Sequence, residues 1–130
     1  IALGNPPPGS AGWSVGLETM EMAKPGEANF IQKNAAVSTS GDTQRFLVID
    51  GVRYSHIVNK NTGLGLIERI AVSVIAPNAT TSDSYATAVS ILGKDKGLEL
   101  IEASAGMECR IVTQGKDGQP EIYFSSGFPR

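Results

Sequence analysis

Asp50-Gly51 stands between two runs rich in β-branched and aromatic residues, Arg45-Phe46-Leu47-Val48-Ile49 and Val52-Arg53-Tyr54-Ser55-His56-Ile57. A type I′ turn requires positive φ at both central residues, and Asp-Gly meets that requirement at little cost, so the dipeptide predicts a two-residue antiparallel hairpin. The middle of the chain is thereby committed to antiparallel pairing, and any fold must accommodate it.

Other runs extend the sheet. Trp13-Ser14-Val15-Gly16-Leu17-Glu18 alternates apolar and polar, as a half-buried strand does. Lys24-Pro25-Gly26-Glu27 predicts a turn, and Phe30-Ile31-Gln32-Lys33 with Ala35-Ala36-Val37-Ser38 predicts further strand, ending in a loop at Ser38-Thr39-Ser40-Gly41-Asp42. Arg69-Ile70-Ala71-Val72-Ser73-Val74-Ile75-Ala76 is a strand stopped by Pro77. Cys109 to Thr113 and Glu121 to Ser125 predict a terminal hairpin around Lys116-Asp117-Gly118. The three prolines of Asn5-Pro6-Pro7-Pro8-Gly9-Ser10 predict an extended linker.

The clearest helix follows Pro77. Thr80 or Thr81 is the expected cap, with Asp83 three residues after Thr80 as in a capping box. Tyr85, Ala88, Val89 and Leu92 recur at helical spacing and are the expected core face, and Gly93 ends the run. A shorter helix is expected over about 96–103, with Leu98 and Ile101 buried. Strands, then a helix pair, then strands predict an α+β domain with a largely antiparallel sheet and the helices packed on it.

Composition removes several function classes. A net charge of −2 without basic clusters argues against nucleic acid or an anionic membrane as partner. No apolar run approaches the roughly 18 residues of a membrane helix. Cys109 is the sole cysteine, so no disulfide closes within the chain. The chain begins Ile1-Ala2-Leu3-Gly4, with neither an initiator methionine nor a signal segment, which leads us to expect a piece of a longer protein.

Few residues are equipped for chemistry. His56 is the only histidine, at the mouth of the hairpin where a strand gives way to Asn59-Lys60-Asn61-Thr62-Gly63; it is either a catalytic imidazole or an exposed ring without a role. Asp83 and Thr87, four apart on the long helix, share a face that is either simply solvated or an oxygen pair for a hard cation such as Mg²⁺. Ser38-Thr39-Ser40-Gly41-Asp42 is either a self-bonded turn or a ligand-contacting loop. No Cys/His cluster suits zinc, no Gly-x-Ser-x-Gly elbow is present, and Gly63-Leu64-Gly65 lacks the third glycine of a dinucleotide fingerprint. Asn78-Ala79-Thr80 matches a glycosylation sequon, a pattern short enough to arise by chance.

Taken in order, these segments resemble the ApbE family of FAD:protein FMN transferases. The resemblance rests on Trp13 to Leu17, Ala36 to Asp42, Asp50 to Ile57 with Thr62-Gly63, Val72 to Ala79, Ser82 to Ala88, and Ile91 to Leu98. It covers nearly the whole chain, and implies the C-terminal portion of an ApbE-like (T-fold-like) domain about twice as long, with the N-terminal half absent. It implies Mg²⁺-dependent cleavage of FAD, release of AMP and attachment of FMN to a threonine of a target protein. It implies His56 as the catalytic residue, Asp83 and Thr87 as metal ligands, and Asp42 as a flavin-site carboxylate with Thr39, Ser40 and Gly41 as neighbours. Asp83 is then expected in the first helical turn, where the dipole favours negative charge. Family relatives suggest a bacterial envelope location. Departures are Asn59-Lys60 where the family reads Asp-Pro, Leu64-Gly65 where a proline is usual, and Thr43 where an aromatic is common. The isolated chain is expected to be inactive or very weak. The alternatives are a flavin-binding or FAD-hydrolysing relative without transfer activity, and a scaffold domain of the same fold.

Overall fold

A computed structural model describes residues 1–17, 29–41 and 45–129. In chain order the elements are β1 (Ala2–Leu3), β2 (Trp13–Gly16), β3 (Asn29–Gln32), β4 (Ala35–Gly41), β5 (Phe46–Ile49), β6 (Val52–Ser55), β7 (Ile70–Ala76), α1 (Ala79–Leu92), α2 (Lys94–Glu102), β8 (Glu108–Gln114) and β9 (Pro120–Phe124). The expected turn at residues 24–27 lies outside the described residues. A five-stranded sheet in the order β1-β4-β7-β8-β9 forms the body, every neighbouring pair antiparallel. The chain is α+β, as its pattern of elements predicts.

β7 is the central strand and is buried along its whole length, which is why it reads as an almost continuous apolar run. Its residues alternate between two cores. Val72, Val74 and Ala76 face α1 and α2 with Ala86, Val89, Ile101, Cys109 and Ile111. On the other face Val37 and Ile75 meet Val15, Phe30 and Phe128, carried partly by the separate ribbon of β2 and β3. Phe128 stacks edge-on against Phe30 at 5.5 Å. Glu102 holds the segment leading to it by accepting from the Ser126 N–H and hydroxyl, and Glu108 accepts from the Ser125 hydroxyl.

The long helix departs from its sequence reading in two ways. Asn78 is the N-cap, its Oδ1 accepting from the Thr81 N–H at 2.9 Å, because the helix can begin as soon as Pro77 has ended the strand. Asp83 is therefore the fifth helical residue, past the first turn. The buried face is Ser82, Ala86, Val89 and Ser90, while Leu92 is 43% exposed. Small side chains let the helix lie close on the flat sheet. The two serine hydroxyls reach core positions by donating to carbonyls one turn back, Ser82 to Ala79 at 3.0 Å and Ser90 to Ala86 at 2.9 Å. α2 starts at Lys94, directly after Gly93, and packs Gly97 against Val89.

The proline-rich start is also less extended than predicted. The Ser10 N–H donates to the Pro7 carbonyl at 3.0 Å, and Gly9 takes φ +80, so Pro8-Gly9 fills the central positions of a turn.

Candidate functional site

The hairpin forms as Asp50-Gly51 requires, with φ +50 and +79 at the two residues, and β5 pairs with β6 in the register Phe46↔Ser55 to Ile49↔Val52. β6 ends at Ser55, one residue before His56. Arg45 and His56 close the open end of the hairpin, since the His56 backbone N–H donates to the Arg45 carbonyl at 3.3 Å.

The imidazole of His56 is exposed, and its Nδ1 lies 3.2 Å from that same Arg45 carbonyl. A carbonyl oxygen can only accept, so the neutral ring carries its proton on Nδ1 and keeps Nε2 basic. This is the tautomer a general base needs, held by the backbone of the neighbouring strand. Behind it the chain turns inward. Ser55 Oγ accepts from the Ile57 N–H at 3.1 Å, and Ile57 is buried. Residues 57–66 then double back on β6 through the Val58↔Gly65 bridge and the Ser55 N–H to Leu66 carbonyl bond of 2.8 Å. The two glycines serve this reversal. Gly63 takes φ +69, and a Cβ on Gly65 would collide with the Ser55 carbonyl.

The expected loop at Ser38-Thr39-Ser40-Gly41 is instead the C-terminal part of β4, paired residue by residue with β7. Strand alternation sends its hydroxyls to opposite faces. Thr39 Oγ1 bonds Ser73 Oγ at 2.9 Å on the face away from the helices, whereas Ser38 Oγ meets Ser82 of α1 at 2.7 Å. Ser40 shares the Ser38 face, so Thr39 and Ser40 cannot turn their side chains to one ligand together. A polar run looks like a turn in sequence; here its hydroxyls pair across strands and with a helix that only the fold brings near. Asp42 lies outside the described residues.

Asp83 and Thr87 are exposed, one turn apart on α1, with the fully buried Ser82 fastening the helix to β4 beside them. At about 100° per residue they sit on the shoulder of the helix rather than opposite its buried stripe. Among the described residues no group of three or more His, Cys, Asp or Glu converges as a metal cluster. Two oxygen donors suit Mg²⁺, which keeps several waters and takes one or two carboxylates plus substrate phosphates, and they would not suit a metal needing a full protein cage. Asp83 and Thr87 fit that partial role.

Two cavities lie against the hairpin and the helix pair, and neither is lined by His56, Asp83 or Thr87. One of about 430 Å³ runs between the hairpin, the 59–68 loop and the end of α1, with Tyr54, Asn59 and Thr62 in its wall. The larger, about 710 Å³, lies at the start of α2 against β8 and β9. In its wall Lys94 is 3.6 Å from Asp95 and 4.5 Å over the Tyr123 ring, and the Tyr123 hydroxyl donates to Glu121.

The chain is similar to known proteins in sequence and in fold. The ApbE family model matches residues 1–111. The chain is 30% identical over 118 residues to the FAD:protein FMN transferase of Vibrio cholerae, covering 89% of the chain and 35% of that protein. It is 32% identical over 106 residues to the enzyme of the same name from Treponema pallidum, covering 80% of the chain and 29% of that protein. Among solved structures, the flavin transferase ApbE from Vibrio cholerae superposes with a TM-score of 0.75 at 28% identity, over 90% of this chain and 37% of that one. The flavinyl transferase ApbE of Pseudomonas stutzeri, apo form, gives 0.74 at 28% identity, over 98% and 39%. The chain thus spans about a third of the length of these relatives. From its first strand to β8, it belongs to the ApbE family of flavin transferases.

Proposed function

We propose that the parent of this chain is a Mg²⁺-dependent FAD:protein FMN transferase that attaches FMN to a threonine of a target protein and releases AMP. The observation that carries the reading is His56, exposed at the hairpin mouth with Nδ1 held by the Arg45 carbonyl and Nε2 left basic. His56 Nε2 takes the proton of the acceptor hydroxyl as its oxygen forms a bond to the FMN-side phosphorus of FAD. The bond from that phosphorus to the bridging oxygen breaks, and AMP leaves with that oxygen. Asp83 and Thr87 would hold the magnesium, which when bound neutralises charge on the pyrophosphate. Ser40 shares the face of β4 that Ser38 turns toward Ser82 of α1. By the family resemblance Asp42, with Thr39, Ser40 and Gly41 beside it in the chain, would border the flavin.

The test uses the parent protein. His56→Ala is expected to lower FMN transfer by about 10²–10⁴-fold with FAD affinity retained. Asp83→Asn is expected to move the Mg²⁺ dependence to higher concentration. Unchanged transfer in His56→Ala would remove the assignment. AMP and FMN released without labelled acceptor would instead identify an FAD-hydrolysing relative.

A further inference from the structure

Ser82 is the fourth residue of α1 and is fully buried, immediately before the exposed Asp83. Two oxygens lie within bonding distance of its hydroxyl, the Ala79 carbonyl at 3.0 Å and Ser38 Oγ at 2.7 Å. A serine hydroxyl has one proton to give, and a carbonyl oxygen can only accept. Both bonds form only if Ser82 donates to Ala79 and Ser38 donates to Ser82. The hydroxyls therefore make a directed chain from the sheet into the helix. In the helical ladder the Ala79 carbonyl also takes the N–H four residues on, which is the amide of Asp83.

The sheet end of this chain is rigid. Ser38 stands opposite Val74 in the middle of the β4–β7 ladder, against the strand that is buried along its whole length. Its neighbour Thr39 is fixed on the opposite face by the 2.9 Å bond to Ser73. Elsewhere α1 meets the sheet through apolar contacts, with Ala86 and Val89 against Val72, Val74 and Ala76. Such packing is non-directional, and a side chain as small as Ala86 gives the helix little ridge to lock into a groove. A hydrogen bond is directional and weakens steeply off its geometry, so the Ser38–Ser82 bond resists sliding and rolling that the apolar contacts would allow. Asp83 and Thr87, one turn apart on the exposed shoulder, move with any such roll.

We propose that Ser38 and Ser82 are positioning residues for a divalent cation at Asp83 and Thr87. Their bond sets the height and rotation of the start of α1 on the sheet, and with them the direction in which the two oxygen donors point. Mg²⁺ demands near-ideal octahedral geometry, so a small rotation of its ligands costs affinity. The inference rests on the proposed reading of Asp83 and Thr87 as metal ligands.

The experiment titrates Mn²⁺, an oxygen-seeking cation followed by its own paramagnetic resonance, into the parent protein with FAD and no acceptor. Asp83→Asn locates the site and is expected to weaken Mn²⁺ binding by about tenfold or more. Ser38→Ala and Ser82→Ala are each expected to weaken it by about 3–10-fold, the worth of one hydrogen bond, with FAD affinity in the absence of metal unchanged. The double variant should bind no more weakly than the weaker single, because the same bond is lost in each. Ser90→Ala is the control: Ser90 is buried on the same helix and donates to the Ala86 carbonyl, so its loss should lower the melting temperature and leave Mn²⁺ binding as it was. Unchanged Mn²⁺ binding in Ser38→Ala, additive losses in the double variant, or equal weakening in Ser90→Ala would overturn the proposal while leaving Asp83 a ligand. Unchanged binding in Asp83→Asn would remove the metal reading and this inference with it. Without any cation, amide exchange at Asp83 is expected to be faster in Ser38→Ala than in the wild type, and equal exchange would likewise overturn the proposal.

Discussion

Gly65→Ala should be the most damaging small change near His56, and its cost follows from the backbone rather than from any side chain lost. A Cβ at Gly65 would fall inside contact distance of the Ser55 carbonyl oxygen, with Tyr54 Cβ at 3.1 Å and the Ser55 nitrogen at 3.2 Å. None of these is the free end of a flexible side chain, so the loop and β6 must part. The bonds that join them are Ser55 N–H to Leu66 at 2.8 Å and Leu66 N–H to Ile57 at 2.9 Å. Losing both, at about 0.5–1.5 kcal/mol each, costs about 1–3 kcal/mol, the same range as forcing an extra methyl into a packed interior. With a urea m-value of about 2 kcal/mol/M, the midpoint should fall by roughly 0.5–1.5 M, read by circular dichroism. Gly63→Ala is the control. It meets open space but requires φ +69 of an L-residue, a penalty of about 1–2 kcal/mol without displacing the Ser55 strand end. FMN transfer by the parent should therefore fall in Gly65→Ala beyond what lost stability explains, and should survive in Gly63→Ala. If both variants retained transfer equally, close approach at Gly65 would not be what positions the His56 backbone.

Two further outcomes test the supports around the site. Asn78→Ala removes the acceptor for the Thr81 N–H and should destabilise α1 by about 1 kcal/mol in urea unfolding, whereas Thr80→Ala should change stability by less than half of that. Glu102 is held below the usual carboxylate range by the Ser126 N–H first and the Ser126 hydroxyl second. A depressed folded value gives stability that is full above the ordinary carboxylate pKa and is lost as pH falls through the lower folded value. The wild-type chain should therefore loosen the segment around Ser126 on acidification, seen as faster amide exchange at Ser126, and Glu102→Gln should abolish that pH dependence.

The parts of the fold that were legible in the sequence are those decided by a local rule. Asp50-Gly51 predicts its own turn because only a few residues accept two successive positive φ values. β7 is legible because a strand buried on both faces must be apolar throughout. Two of the departures share one cause, which is that a hydroxyl reads in sequence as solvent-facing. Ser82 and Ser90 were overlooked as core residues because a hydroxyl reads as exposed, yet each discharges its hydrogen bond into its own helix. Ser38 and Thr39 read as loop for the same reason, although their partners are Ser82 and Ser73, 44 and 34 residues away. A partner that distant cannot be seen in a window of sequence. His56, Asp83 and Thr87 were not separable from ordinary surface residues by spacing alone, and only the ordered resemblance to a family singled them out.

The incompleteness of the candidate site is itself informative. On the proposed reading Asp83 and Thr87 would offer two oxygens to an octahedral Mg²⁺, leaving its other positions to water, phosphate and donors elsewhere in the parent. His56 presents one basic nitrogen, and neither of the two cavities described above is lined by it. The hairpin face of Leu47, Ile49 and Val52 has no cover among the described residues. A scaffold domain would give no reason for a metal-suited pair, a tautomer-defined imidazole and an uncovered apolar face to occur in one chain. The proposed transferase reading, with the site completed by other parts of a longer protein, gives one. On that proposed reading FAD would be cleaved only where other parts of the parent complete the site, so this chain alone should cleave FAD weakly or not at all.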